Sequence, residues 1–271
     1  MNRPELNVER VRHELKIRQL TVAKVERIAD LLVRVTLTGD DLQDFVSASF
    51  DDHIKVFFSE QPATPVPLPA LGPNGLAFPE DQPRPQARDY TPRRFNAQAR
   101  ELEIEFVLHG DGPASEWAAQ VQPGQTLVIG GPRGSFVVPT AFDWHVLIGD
   151  ETALPAISRR LEELPADTHA IVRIEVPQAA NEIPLQSKAK LDLQWLHRNG
   201  AQPGASTLLP EAAKKLTLPT GEGYVWAAAE SAVARAVREV MVNQHQIGKR
   251  RIRASSYWKR GASGVHETLD D

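Results

Sequence analysis

The sequence predicts an α+β protein of two domains, an N-terminal antiparallel β-barrel over 15–140 followed by a C-terminal α/β domain on a parallel sheet over 141–271. Three observations carry this expectation. The first half holds many short segments rich in Val, Ile, Leu, Phe and Thr, separated by turn residues. The second half alternates strand-like with helix-like periodicity, the pattern of a parallel sheet covered on both faces. Between them the rhythm changes near 139–144, just after Pro139.

In the first half the expected strands are 19–28, 31–38, 53–59, 88–95, 101–108, 126–129 and 135–138. Val33, Val35 and Leu37 alternate with Arg34, Thr36 and Thr38, as a half-buried strand requires. Ile104, Phe106 and Leu108 alternate with Glu103 and Glu105 in the same way. Short antiparallel strands in this number suggest a closed barrel. From 61 to 87 the chain carries Pro62, Pro65, Pro67, Pro69, Pro73, Pro79, Pro83 and Pro85, which excludes a central strand or a helix. A stiff, mobile surface excursion is expected there.

In the second half a strand at 145–149 leads to a helix at 153–164, with Leu154, Ile157, Leu161 and Leu164 on one face. Strands follow at 169–176, near 192–196, at 223–229 and at 251–258, with helices near 209–216 and at 231–245. The last helix places Val233, Val237, Val240 and Met241 at helical spacing.

Composition narrows the chemistry. The 271 residues are 41% hydrophobic and 24% charged with a formal net charge of −4, so no basic excess points to nucleic acid. Arg3, Arg10, Arg12 and Lys16 mix with Glu5, Glu9 and Glu14, leaving no apolar signal core, and no run is long enough to span a bilayer. A cytoplasmic monomer with no membrane partner is expected. The absence of cysteine excludes disulfides, thiol nucleophiles and thiolate-held metals or clusters. None of the eight histidines forms a close metal-binding pair. Electrons, if moved at all, need an organic cofactor.

The most informative stretch is Arg-Asp-Tyr-Thr-Pro-Arg-Arg-Phe at 88–95. Arg88 offers a guanidinium for phosphate, Tyr90 a flat ring for a heteroaromatic face, and Thr91 a hydroxyl for a ring nitrogen. That combination suits a flavin dinucleotide. At 109–117, His-Gly-Asp-Gly-Pro-Ala-Ser-Glu-Trp, a strand opens into a short helix at roughly 114–121, whose first amides and Ser115 hydroxyl suit a diphosphate. Taken alone it reads first as a tight β–α turn, and the phosphate reading gains ground only because it follows the Arg88 strand. The turn at 130–136 reads most simply as a hairpin. Gly-Asp-Glu-Thr-Ala-Leu-Pro at 149–155 lies beyond a strand's carboxyl end, where open α/β sheets bind ligands. It lacks the dinucleotide glycine pattern. Asp150 and Glu151 would repel pyrophosphate but could accept hydrogen bonds from ribose or an amide, and Thr152 could cap the helix. The stretch from Lys249 to Arg260 carries six cations and no acid. As a strand it would present Arg251 and Arg253 to an anion. Lys55, after Asp51-Asp52-His53, is a separate cation that could equally be an ordinary surface lysine.

Together these residues resemble the siderophore-interacting protein family, flavin-dependent ferric-siderophore reductases within the ferredoxin–NADP reductase-like superfamily. The resemblance rests on DDHIKVFF (51–58), RDYTPRRF (88–95), HGDGPASEWA (109–118), GPRGSF (131–136), GDETALPAI (149–157) and RIRASSYWKRG (251–261), in the expected order over almost the whole chain. It implies an FAD-binding barrel followed by an NAD(P)-binding-like domain. It implies that Arg88 meets FAD phosphate, that Tyr90 stacks on the isoalloxazine and that Thr91 lies near N5. Gly112, Ala114 and Ser115 would cradle the diphosphate, with His109, Asp150 and Thr152 completing the cofactor-binding set. Lys55 and Arg253 would hold the ferric chelate. NAD(P)H is the implied donor, with NADPH favoured by the basic tail and reduced ferredoxin as an alternative. A general flavin or diaphorase reductase and a non-catalytic siderophore-binding protein are the competing readings. The chain's extension past Trp258 leaves open whether the tail covers the site.

Overall fold

The computed structural model describes residues 6–59, 66–72, 75–79, 83–108, 112–262 and 267–269. The chain divides into two compact units, Glu9–Val137 and Val138–Asp271, the latter joined by Met1–Val8. The terminal segment has a visible tie: Arg251 donates to the Leu6 carbonyl at 2.7 Å.

The first unit contains β1 (Glu9–Arg12), β2 (Ile17–Ala29), β3 (Leu32–Thr38), β4 (Ile54–Phe58), β5 (Ala70–Gly72), β6 (Gly75–Ala77), β7 (Gln86–Tyr90), β8 (Pro92–Asn96), β9 (Glu101–Val107), α1 (Pro113–Gln120), β10 (Thr126–Gly130) and β11 (Gly134–Val137). Its main sheet has seven strands in the order β7-β4-β10-β2-β3-β9-β8, and every pairing in it is antiparallel. Residues of period two, including Val33, Val35, Leu37, Ile54, Val56, Phe58, Ile104 and Phe106, meet in one buried core with Ala114 and Ala118 of α1.

The closed barrel is corrected to an open half-barrel. The sheet ends at β7 and β8, which are not paired with each other among the described residues. The reason is local: only Thr91 separates them, too little chain for a hairpin, and Pro92 has no N–H to give a ladder. The expected strand at 88–95 is therefore two strands on opposite sheet edges. Of the proline-rich excursion, the described residues include the small β5–β6 hairpin. Residues 60–65, 73–74 and 80–82 lie outside the described residues, and so does the mobility expected of them.

The second unit contains β12 (Trp144–Asp150), α2 (Leu154–Glu163), β13 (His169–Val176), β14 (Lys190–His197), α3 (Leu208–Lys214), β15 (Gly223–Glu230), α4 (Ser231–Asn243), β16 (Ile252–Trp258) and β17 (Glu267–Thr268). The sheet order is β14-β13-β12-β15-β16-β17. All neighbours are parallel except β17, which returns antiparallel along β16. The two central strands β12 and β15 are buried along their whole length, as a sheet covered on both faces demands. Gly149 shows how tight this is: a Cβ there would lie 2.4 Å from Ala153 Cβ and 2.7 Å from the Ala228 carbonyl oxygen. Past Trp258 the chain turns back, and Leu269 is buried in the core with its amide on Ala254 O at 2.9 Å.

Candidate functional site

In the first unit the side chains of β7 divide by strand alternation. Tyr90 lies opposite Ile54 and packs against the core, its ring 4.4 Å from that of Phe106. Burial pushes its phenol above the ordinary value, against the opposing charge of Arg88. Arg88 donates to Ala87 O at 2.9 Å and to Gln86 Oε1 at 3.1 Å, and no carboxylate neutralises it among the described residues. Thr91 is buried between the two edge strands.

At the start of α1, Gly112 is the residue before the helix, at φ 157, and among the described residues no side chain caps it. A Cβ at Gly112 would meet nothing within 4 Å. Pro113 at the first turn has no N–H to waste, and helix geometry leaves the following amides pointing out of the turn. These are features a diphosphate requires: aligned amides and the positive end of the helix dipole at α1, and in the same unit Arg88, uncompensated by an acid among the described residues. The residues present fit FAD. His109 lies outside the described residues.

Lys55 points away from the core between Ile54 and Val56. Its ammonium is 2.9 Å from Asp89 Oδ1, an ion pair made directly across β4 and β7. Sequence reading singled out Lys55 but not its partner.

In the second unit the strand order reverses between β12 and β15, the switch point at which open α/β sheets take ligands. Both strands end there in acids. Asp150 Oδ1 accepts the Thr152 amide at 3.0 Å and its hydroxyl at 2.5 Å; Oδ2 accepts the Trp258 indole N–H at 2.8 Å and the Glu230 amide at 3.2 Å. Burial, and then the neighbouring Glu151 charge, push this carboxyl up to about 7 against the hydrogen bonds from Thr152 and Trp258. The capping group is thus Asp150, with Thr152 as donor, the reverse of the expected role. Glu230 caps α4, taking the Ala232 and Val233 amides at 2.7 and 3.3 Å. Beside them Arg198 holds Glu151 through two bonds of 2.7 and 2.6 Å and reaches Glu175 at 3.4 Å.

Arg253 sits within β16 opposite Trp226, while Arg251 ends a short turn before the strand and pairs with Glu222 at 3.1 Å. The strand therefore presents one of the two expected arginines. Glu230 and Arg198 escaped sequence reading, and Trp258 was read as part of the last strand but not as the partner of Asp150. The signal for Glu230 was a lone acid closing an otherwise apolar strand, Gly223–Glu230, which must be buried with partners.

An open antiparallel sheet with a cation, a phenol and a free helix start, followed by a doubly wound sheet, defines the class in which an FAD-binding unit precedes a nucleotide-binding-like unit. The chain belongs to the siderophore-interacting protein family: the family's FAD-binding domain matches residues 21–136 and the siderophore-interacting protein domain matches 142–261. It is 34% identical to the NADPH-dependent ferric-chelate reductase of Escherichia coli K12, over 95% of this chain and 99% of that one. It is 36% identical to the ferric vibriobactin reductase ViuB of Vibrio cholerae, over 90% of each. Among solved structures, a siderophore utilization protein from T. fusca superposes with a TM-score of 0.87 at 39% identity, covering 96% of this chain and 98% of that one.

Proposed function

We propose that this protein is an FAD-dependent reductase that uses NAD(P)H to convert a chelated ferric ion to the ferrous state. The observation that carries the reading is the uncapped start of α1 in the same unit as an arginine with no acidic partner among the described residues. FAD, when bound, lets a two-electron donor serve a one-electron acceptor. Arg88 and the first turn of α1, with Gly112, Ala114 and Ser115, hold its phosphates; Tyr90 and Thr91 orient its ring. Lys55 in the first unit and Arg253 in the second each supply positive charge that attracts an anionic ferric chelate. Release follows from reduction, because hard oxygen ligands hold Fe(III) more tightly than Fe(II). No side-chain acid, base or nucleophile is required.

The finer points belong to the same proposal. Asp150 and Thr152 support the donor side by ordering the carboxyl edge of the sheet, with Asp150 already engaged by four donors. The basic stretch around Arg253 favours NADPH over NADH, and reduced ferredoxin is the alternative donor. The protein works as a monomer in the cytoplasm, where reduced nicotinamide is available. Among the described residues no helix is long and apolar enough to cross a membrane.

Anaerobic mixing of the FAD-loaded protein with NADPH or NADH, followed by a ferric chelate, tests this. The flavin absorbance should bleach with the donor and return with the chelate, with a ferrous trap colouring in step. A protein that takes up no FAD, or whose bleached flavin ignores the chelate, ends the proposal.

A further inference from the structure

Lys55 and Asp89 occupy directly opposed positions on β4 and β7. The lysine side chain is 46% exposed and the aspartate 14%, so a partly exposed ammonium meets a largely covered carboxylate. Arg88, next in sequence, turns to Gln86 and the Ala87 carbonyl and leaves Asp89 to Lys55. The proposed chelate cation is thus one end of a fixed ion pair with no net charge.

This changes what the lysine can select. A lone ammonium attracts a chelate in proportion to the chelate's charge. A carboxylate about 3 Å behind the ammonium turns that charge into a dipole, whose field fades faster with distance and favours a trianion much less. The ammonium keeps N–H groups for a neutral chelate's oxygen atoms, and the ion pair holds them in place. We propose that Asp89 is a specificity-determining residue, biasing the site toward ferric chelates of low net charge, such as trihydroxamates, over trianionic tris-catecholates. The inference rests on the reading of Lys55 as a chelate-binding residue.

Redox-inert gallium(III) chelates separate binding from electron transfer. One is a tris-catecholate trianion and the other an uncharged trihydroxamate; each is titrated into the FAD-loaded full chain, with Kd read from tryptophan fluorescence quenching. Asp89→Asn should tighten the trianion about five- to tenfold at low ionic strength and shift the neutral chelate by less than about twofold. Salt of about 0.5 M should collapse the difference. Asp89→Glu, which keeps the charge, should retain the original preference. Equal shifts for both chelates, or none, overturn the proposal. Lys55→Ala tells the two failures apart. If it leaves both affinities unchanged, Lys55 is not at the chelate, and the inference falls with that reading. If it weakens the trianion while Asp89→Asn shows no charge selectivity, the inference alone falls.

Discussion

Two helix starts in this molecule have opposite electrostatics. At α1 a glycine precedes the helix, and among the described residues no side chain caps it. At α4 the preceding residue is Glu230, whose carboxylate takes the first amides for itself. The short turn after β12 is closed likewise by Asp150. Both starts carry the dipole's positive end, yet among the described residues only the first leaves it available to an anion. The lesson is that the residue directly before a helix decides what its first amides meet: Gly112 has no side chain to offer them, and Glu230 does. In the second unit, the ends of β12 and β15 are filled by carboxylates that order the edge of the sheet.

The largest effect should come from giving α1 the acid that α4 has. Gly112→Asp should weaken FAD binding about a hundredfold, through repulsion of the diphosphate and occupation of its amides. Gly112→Ala, which bears only the cost of the left-handed backbone at φ 157, should lose much less. Fluorescence titration of the apoprotein with FAD measures both, and equal losses would show that charge is not what distinguishes the two starts. Arg88→Ala should raise the FAD Kd about tenfold to hundredfold, with Arg88→Lys intermediate because it keeps charge but not the fork.

Stability against pH probes the closed side. Asp150 is raised from 3.8 to about 7 in the folded protein. Below about pH 4 both states hold the proton. Between about 4 and 7 the native state keeps a proton that the unfolded chain has lost, so this group's contribution falls as pH rises, then levels off. Asp150→Asn should therefore remove a decline on the order of 2 kcal/mol between about pH 5 and 7, read from urea unfolding. A wild-type stability that rises across that window no less than the variant's would refute the assignment. The smallest effect should be Glu230→Ala, which removes the α4 cap and costs about 1–2 kcal/mol in the same measurement. FAD affinity should not change with it.

Much of this was legible in the chain. The 3.6-residue apolar repeat of α4, and the strict alternation of β3 and β9, fix those elements because one face of each must leave water. Strand 169–176 was placed to the residue. The break at Thr91, the return of β17 and the pairing of β1 with β11 were not. These segments are short and carry too few apolar residues for a periodic signal; their pairing is set by neighbours elsewhere in the chain. Among the site residues, Lys55 and Asp150 could be singled out by type and context, but their partners could not.

The sequence alone determined that an antiparallel unit precedes a parallel one, that cysteine chemistry is absent, and that Arg88, Tyr90 and Thr91 stand together in one short segment. Only the folded chain decided which charges meet. Lys55 finds Asp89 at a separation of 34 residues, and Asp150 finds Trp258 at 108. Such encounters depend on strand register and on crossovers between distant segments, and a one-residue slip in either strand would turn the side chain to the other face.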